Sequence, residues 1–205
     1  QPPVNLVRMF QVESQDAAPR FNLHGRIYWG FWESLPRAER PLIQIDGQPV
    51  SELDFAGMFA RLAYAEVGTE PPPGDIYEGL GMPRETAKWA MSSLLCRRSP
   101  LRKLPEEQQA ELGPHWNGHR VTAAFASKHP AIAPLFCQGI GLRLMFTESQ
   151  IMVATLLELI DRGTIALPIH DGLLIPERDL EVCQRIMEAT AENIAGSWLP
   201  VRLKA

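Results

Sequence analysis

Ile165-Ala166-Leu167-Pro168-Ile169-His170-Asp171-Gly172-Leu173-Leu174-Ile175-Pro176 is a pair of short apolar runs separated by polar residues and a glycine. Short apolar runs bounded by turn residues read as buried strands, and Asp-Gly supplies the positive φ angles of a tight hairpin. The pattern predicts a strand over 165–170, a turn at Asp171-Gly172 and a return strand over 173–176. A second unit of the same kind lies upstream, where residues 42–45 (Leu-Ile-Gln-Ile) and 49–55 (Pro-Val-Ser-Glu-Leu-Asp-Phe) flank Asp46-Gly47. Each unit presents an aspartate: Asp171 at a hairpin tip, and Asp54 where an apolar strand gives way to a helix.

Working outward, the 3.6-residue period predicts helices over 56–67, with Met58, Leu62 and Ala65 on one side, over 84–96 after Pro83, and over 120–128. A further helix is expected after Pro134, and the clearest over 149–162, capped by Gly163. A long amphipathic helix over 179–195 carries Leu180, Cys183, Ile186, Met187, Thr190 and Ile194, and residues 201–203 read as a closing strand. The aromatic stretch 26–32 reads as a strand, the first 20 or so residues, with Pro2 and Pro3, as an extended lead-in, and 68–74, with three consecutive prolines, as a loop. Residues 99–118 are polar and weakly periodic. The sum is an α+β fold, a small antiparallel sheet backed by helices.

The chain has 205 residues, of which 45% are hydrophobic, enough to bury a core and to exclude wholesale disorder. No apolar run approaches the ~20 residues of a membrane helix, and the N-terminus lacks the apolar core of a signal peptide. Cys96, Cys137 and Cys183 form no CxxC pair and read as reduced thiols, which predicts a cytoplasmic protein. His115 and His119, four apart, lack the neighbouring cysteines or acid that would make them zinc ligands. The chain begins with Gln1 rather than Met, which raises the expectation of an upstream segment.

The net charge of −4 is unevenly spread. Between Arg84 and Lys103 lie six basic residues and one acid, Glu85, so this stretch carries +5 and the remainder −9. A local basic surface on an acidic body can hold phosphate in one place and a metal in another, and it can equally be a solvated helix face.

Aspartates at the ends of buried strands are rigidly aimed yet close to solvent. Two on neighbouring strands suit magnesium, which takes one or two carboxylates and completes its shell with substrate phosphates. Taken singly, Asp171 is also an ordinary turn residue and Asp54 an ordinary helix N-cap.

The order of the blocks resembles the family A DNA polymerases, the bacterial DNA polymerase I type. Their first motif is a strand ending in Asp-Tyr-Ser and a helix with Arg seven residues beyond the Asp. Leu53-Asp54-Phe55-Ala56-Gly57-Met58-Phe59-Ala60-Arg61-Leu62 is similar, with Asp54 as metal ligand and Arg61 in register. Asp75-Ile76-Tyr77 resembles the family's Asp-Ile-His element, and Arg84 and Lys88, four apart, resemble its fingers helix. Ile169-His170-Asp171-Gly172-Leu173-Leu174 resembles its apolar strand, His-Asp-Glu and second apolar strand.

The resemblance implies a single polymerase-like domain over 1–205. Its palm would occupy about 20–66 and 120–205, and a reduced fingers-like insertion about 67–119. It implies DNA synthesis from deoxynucleoside triphosphates by a two-metal mechanism with Mg2+ (or Mn2+). Asp54 and Asp171 would be the catalytic, metal-binding pair. Arg84 and Lys88 would grip the triphosphate, with Lys88 donating a proton to the leaving pyrophosphate, and His170 would touch the backbone near the primer end. The partners implied are a DNA primer–template and the deoxynucleotides.

Departures from the family pattern accompany this. Ser92 and Cys96 stand where the fingers helix carries aromatics, Gly172 replaces the Glu after the second Asp, and Phe59 replaces the acid under the sugar. Phe59 is bulky enough to exclude a ribose 2′-hydroxyl. No stretch upstream of Arg26 is long enough for a proofreading exonuclease, and little room remains for a thumb. Weak DNA grip is therefore expected, supplemented by an accessory protein or an upstream region. Three alternatives stay open: an idle nucleic-acid-binding module, an activity like that of phage-type RNA polymerases, and a metal-dependent nuclease recruiting Glu52, which shares a strand face with Asp54.

Overall fold

The structure is a computed structural model that describes residues 5–14 and 18–204. Pro2 and Pro3 of the expected lead-in lie outside the described residues. The fold is α+β, a small antiparallel sheet with helices. Two compact units divide the chain: Gln1–Met58 with Met145–Ala205, and Phe59–Leu144.

The first unit holds the sheet. Its strands are β3 (Gln44–Ile45), β4 (Gln48–Phe55), β5 (Leu167–Ile169), β6 (Gly172–Pro176) and β7 (Val201–Leu203), in the order β3-β4-β6-β5 with β7 also on β4. A separate ribbon pairs β1 (Val7–Phe10) with β2 (His24–Tyr28). Asp46 and Gly47 both have positive φ (50° and 72°), the backbone a two-residue primed turn requires, so the first hairpin turns where its sequence predicts, although its first strand is only Gln44–Ile45 and Leu42 ends a 3-10 segment, Arg37–Leu42. Every residue of β6 is buried, which accounts for a run of apolar residues without alternation. One sheet face packs Trp32, Ile45, Val50, Ile169 and Leu174 into a cluster.

Four local expectations need correction. The lead-in contains a strand, β1. The aromatic stretch 26–32 is not one strand, since β2 ends at Tyr28, Trp29 turns with φ 78°, and Phe31–Glu33 is a 3-10 turn. Tertiary docking overrides the strand propensity here: Trp32 is fully buried and its indole Nε1–H donates to the Pro168 carbonyl at 2.8 Å. The second hairpin turns at His170-Asp171, and Gly172 is already in the ladder opposite Ile169. Finally, the helix expected over 149–162 is present but begins earlier, at Gly141, so it is continuous with the one expected after Pro134, and Ala133–Leu135 is a 3-10 turn.

The helices are α1 (Met58–Glu66), α2 (Arg84–Cys96), α3 (Glu106–Leu112), α4 (Gly118–Lys128), α5 (Gly141–Asp161) and α6 (Leu180–Ala195). In α6, Cys183, Ile186, Met187 and Ala191 are buried. Burial pushes the Cys183 thiol up to about 11, helped by the charge of Asp179. All three cysteines are free thiols.

The second unit is helical and is tied together by a buried relay. The Tyr64 hydroxyl lies 2.8 Å from His129 Nδ1, and His129 Nε2 lies 3.0 Å from the Ile76 carbonyl. A carbonyl only accepts, so Nε2 carries the proton and Nδ1 accepts from Tyr64. Burial holds the His129 pKa below its ordinary value, with Lys128 acting in the same direction. Among the described residues no helix is long and apolar enough to cross a membrane.

Candidate functional site

Asp54 sits opposite Gly172 in the β4–β6 ladder, and the next rung is a hydrogen bond from the Phe55 N–H to the Asp171 carbonyl, 3.3 Å. Two aspartates far apart in sequence are therefore brought to one end of the sheet, Asp54 on β4 and Asp171 in the turn, one residue before Gly172, the ladder partner of Asp54. The approach is close: a Cβ on Gly172 would stand 2.6 Å from the Leu53 carbonyl oxygen and 3.6 Å from Asp54 Oδ1. Gly172 is thus required by strand packing beside Asp54, not by the turn. His170 takes the positive φ, 51°, at the first position of the turn, a strained conformation for a residue other than glycine. Its ring is exposed, 6.1 Å from that of Tyr28. Asp54 is 5% exposed, Asp171 is half-buried, and the Arg202 guanidinium lies 3.7 Å from Asp54 Oδ2.

A third carboxylate belongs to this neighbourhood. Glu148 of α5 is 2% exposed and is held by Arg26 of β2 in a two-pronged pair, Nε–H to Oε1 at 2.6 Å and Nη2–H to Oε2 at 2.8 Å. Burial drives the Glu148 carboxyl up to about 7; Arg26 holds it back, and the charges of Asp171 and Asp54 push it further up. Burial works against the Arg26 charge, but Glu148 and Asp171 together keep its pKa above the ordinary value. The same Arg26 charge depresses the His170 imidazole, after desolvation. Neither Arg26 nor Glu148 was singled out from the sequence. The signal was a glutamate on the buried stripe of α5, in line with Ile151, Met152, Thr155 and Leu159.

No family model matches this chain, and no curated protein matches it.

Among the described residues, no group of three or more His, Cys, Asp and Glu side chains is arranged to hold a metal ion. Magnesium does not need one, since two carboxylates suffice when phosphates and water fill the remaining positions. Asp54, on β4, and Asp171, in the turn leading into β6, supply hard oxygen donors of the kind magnesium takes, and both charges are felt at Glu148. Glu148 has both oxygens committed to Arg26. Glu52 is likewise committed, 2.6 Å from Lys204 Nζ.

The other residues singled out from the sequence belong to the second unit. Arg84 and Lys88 lie one turn apart on α2, away from its buried stripe of Ala87, Ala90, Met91, Leu94 and Leu95, and Lys88 is exposed. Arg84 is engaged: its Nε–H donates to Asp75 Oδ2 at 2.7 Å, and its guanidinium lies 5.4 Å from the Tyr77 ring centre. Asp75 also accepts from the Tyr77 N–H at 2.8 Å. Burial opposes its charge, but Tyr77, Arg84 and Lys128 together hold its pKa below the carboxylate range. Arg61 is half-buried and within the fields of Glu70, Tyr77 and Asp75, though burial still lowers its pKa. Phe59 is half-buried near the start of α1. Asp75 is thus the anchor that Arg84 and Lys128 share, a role that its resemblance to a sequence motif does not convey.

Proposed function

We propose that this chain performs template-directed nucleotidyl transfer, synthesising DNA from deoxynucleoside triphosphates on a palm of the family A polymerase kind. The observation that carries the proposal is the β4–β6 register, with Asp54 opposite Gly172 and the Phe55 N–H bonded to the Asp171 carbonyl. Asp54 and Asp171 would hold Mg2+ or Mn2+, which when bound supplies acidification of an attacking hydroxyl and neutralisation of charge at phosphorus. Around them, the chain's own residues orient and hold charge. Arg26 offsets the crowding of negative charge among Glu148, Asp171 and Asp54, and the His170 turn fixes the direction of Asp171. The family resemblance alone would give Lys88, exposed on α2, the proton for the leaving oxygen, and Phe59 the limit on bulk at the sugar. Arg84 grips phosphate only by exchanging its bond with Asp75. The partners are a DNA primer–template and deoxynucleotides, with an accessory protein or an upstream region adding grip.

The Arg84–Asp75 pair also favours a second reading, an idle nucleic-acid-binding module. Primer extension with each nucleotide type and either metal separates the two. Extension that disappears in Asp54→Asn and Asp171→Asn supports the polymerase. Extension surviving either substitution defeats the proposed ligand pair. No extension, together with nucleotide binding that neither metal tightens, leaves the idle module.

A further inference from the structure

A cavity of about 600 Å³ opens in the first unit between the 3-10 segment Arg37–Leu42 and the sheet. Arg37, Arg40 and Lys204 line it against a single carboxylate, Glu52, and Pro41 and Leu174 give it an apolar wall. Arg40 Nε is buried and has no hydrogen-bond partner. A buried charged donor without an acceptor is costly, because it has given up water and received nothing in return. Lys204 is bonded to Glu52, so the cavity's one acid is already neutralised and its balance stays positive. The volume matches small-molecule sites, which combine apolar walls with a few convergent polar groups.

Its place on the sheet adds meaning. Glu52 pairs with Leu174 and Asp54 with Gly172 in the same ladder. Residues two apart on a strand share a face, so Glu52 on the cavity wall and Asp54 project from the same face of β4, about 7 Å apart along it. Arg40 is close enough for its charge to be felt at His170.

We infer that this cavity is a phosphate site, taking a phosphate of a nucleotide or of a nucleic-acid strand, with Arg40 Nε–H as the donor awaiting an acceptor. The apolar wall takes the sugar or base attached to that phosphate. The inference stands on the cavity and does not require that the chain be a polymerase, so its test reads binding and not synthesis.

Fluorescence anisotropy of a labelled single-stranded oligodeoxynucleotide is measured over a salt series, without divalent ions, for the parent, Arg40→Met, Arg40→Lys and Arg37→Gln. Methionine keeps most of the apolar stem, and circular dichroism verifies the fold. Removing a charge-assisted hydrogen bond predicts binding about tenfold weaker for Arg40→Met. The slope of log affinity against log salt falls by about 0.7 for each phosphate of a single strand that is no longer neutralised. Arg40→Lys restores the slope in part. Arg37 is exposed at its turn, so Arg37→Gln tests the cavity even where Arg40→Met does not fold; it weakens binding in the same direction. Competition with dATP and with inorganic phosphate identifies the source. Displacement by dATP at far lower concentration than by inorganic phosphate marks a nucleotide site, and displacement only by unlabelled strand marks a strand site. Unchanged affinity and slope in both Arg40→Met and Arg37→Gln overturn the assignment, as does failure of the parent to bind either the strand or dATP.

Discussion

Replacing Glu148 with Gln should remove a pH dependence that the parent carries. Glu148 is 2% exposed, and its pKa rises from 4.5 to about 7 on folding. The folded state therefore holds a proton that the unfolded chain releases. The sign follows from linkage: stability is fully present below about pH 4.5, falls as pH climbs toward 7, and then levels off. At about 1.4 kcal/mol for each tenfold change in a protonation constant, the fall is roughly 3 kcal/mol, a large share of the ~5–15 kcal/mol that stabilises a domain. Glutamine cannot titrate, although its amide also loses one prong of the Arg26 pair. The assay is urea unfolding of both proteins from pH 4 to 8 without divalent ions. Parent minus variant cancels the other titrating groups and should decline by roughly 3 kcal/mol across this window. A flat difference would refute the reasoning, and a difference that rises with pH would mean that Arg26 keeps Glu148 ionised. Saturating magnesium should shrink the decline, because a cation at Asp54 and Asp171 counters the charges that raise Glu148. A decline indifferent to magnesium would count against an ion there.

Gly172→Ala should cost about 1–3 kcal/mol in urea unfolding, because its Cβ meets the Leu53 carbonyl oxygen at 2.6 Å and the β4–β6 spacing must give; unchanged stability would mean the strands are not packed so closely. Tyr64→Phe should cost about 1–3 kcal/mol by leaving His129 Nδ1 buried without a donor. Because the folded His129 pKa is lowered, its contribution is present above the ordinary value of 6.5 and is lost as pH falls below it. Stability that rises on acidification through that range would contradict a neutral buried ring. Phe59→Ala should admit ribonucleotides in primer extension while metal dependence persists, and equal use of both sugars by the parent would reduce Phe59 to a packing residue.

Local rules made much of the sheet legible. Asp46-Gly47 turned as its dipeptide dictates, and the closing strand over 201–203 formed as read, with α2 over the residues its period marked. What stayed hidden depended on partners distant in sequence. The clearest part of α5 was read from 149, just past Glu148, a buried acid whose partner Arg26 lies on β2, far away in sequence. Trp32 left its strand because the Pro168 carbonyl offered its indole an acceptor. Gly172 resembled a turn glycine because the packing that demands it, the Leu53 carbonyl, belongs to another strand. Of the candidate site, the placing of Asp54 on a strand and of Asp171 at a hairpin turn could be expected from the sequence, whereas the engagement of Arg84 by Asp75 could not.

The placement of β4 sets an order of events during synthesis. Its hairpin partner β3 precedes it directly, but Leu53 pairs with Leu173 on one side and Leu203 on the other. On the ribosome, the strand bearing Asp54 emerges long before either of those partners. Its backbone groups wait unpaired while all of Phe59–Leu144 is made. Long-range pairings of this sort form late and leave sticky edges open in the meantime. The two aspartates can meet only once β6 has emerged. A pause or truncation before that point leaves a nascent chain with half a site and a bare strand, a substrate for chaperones or for aggregation.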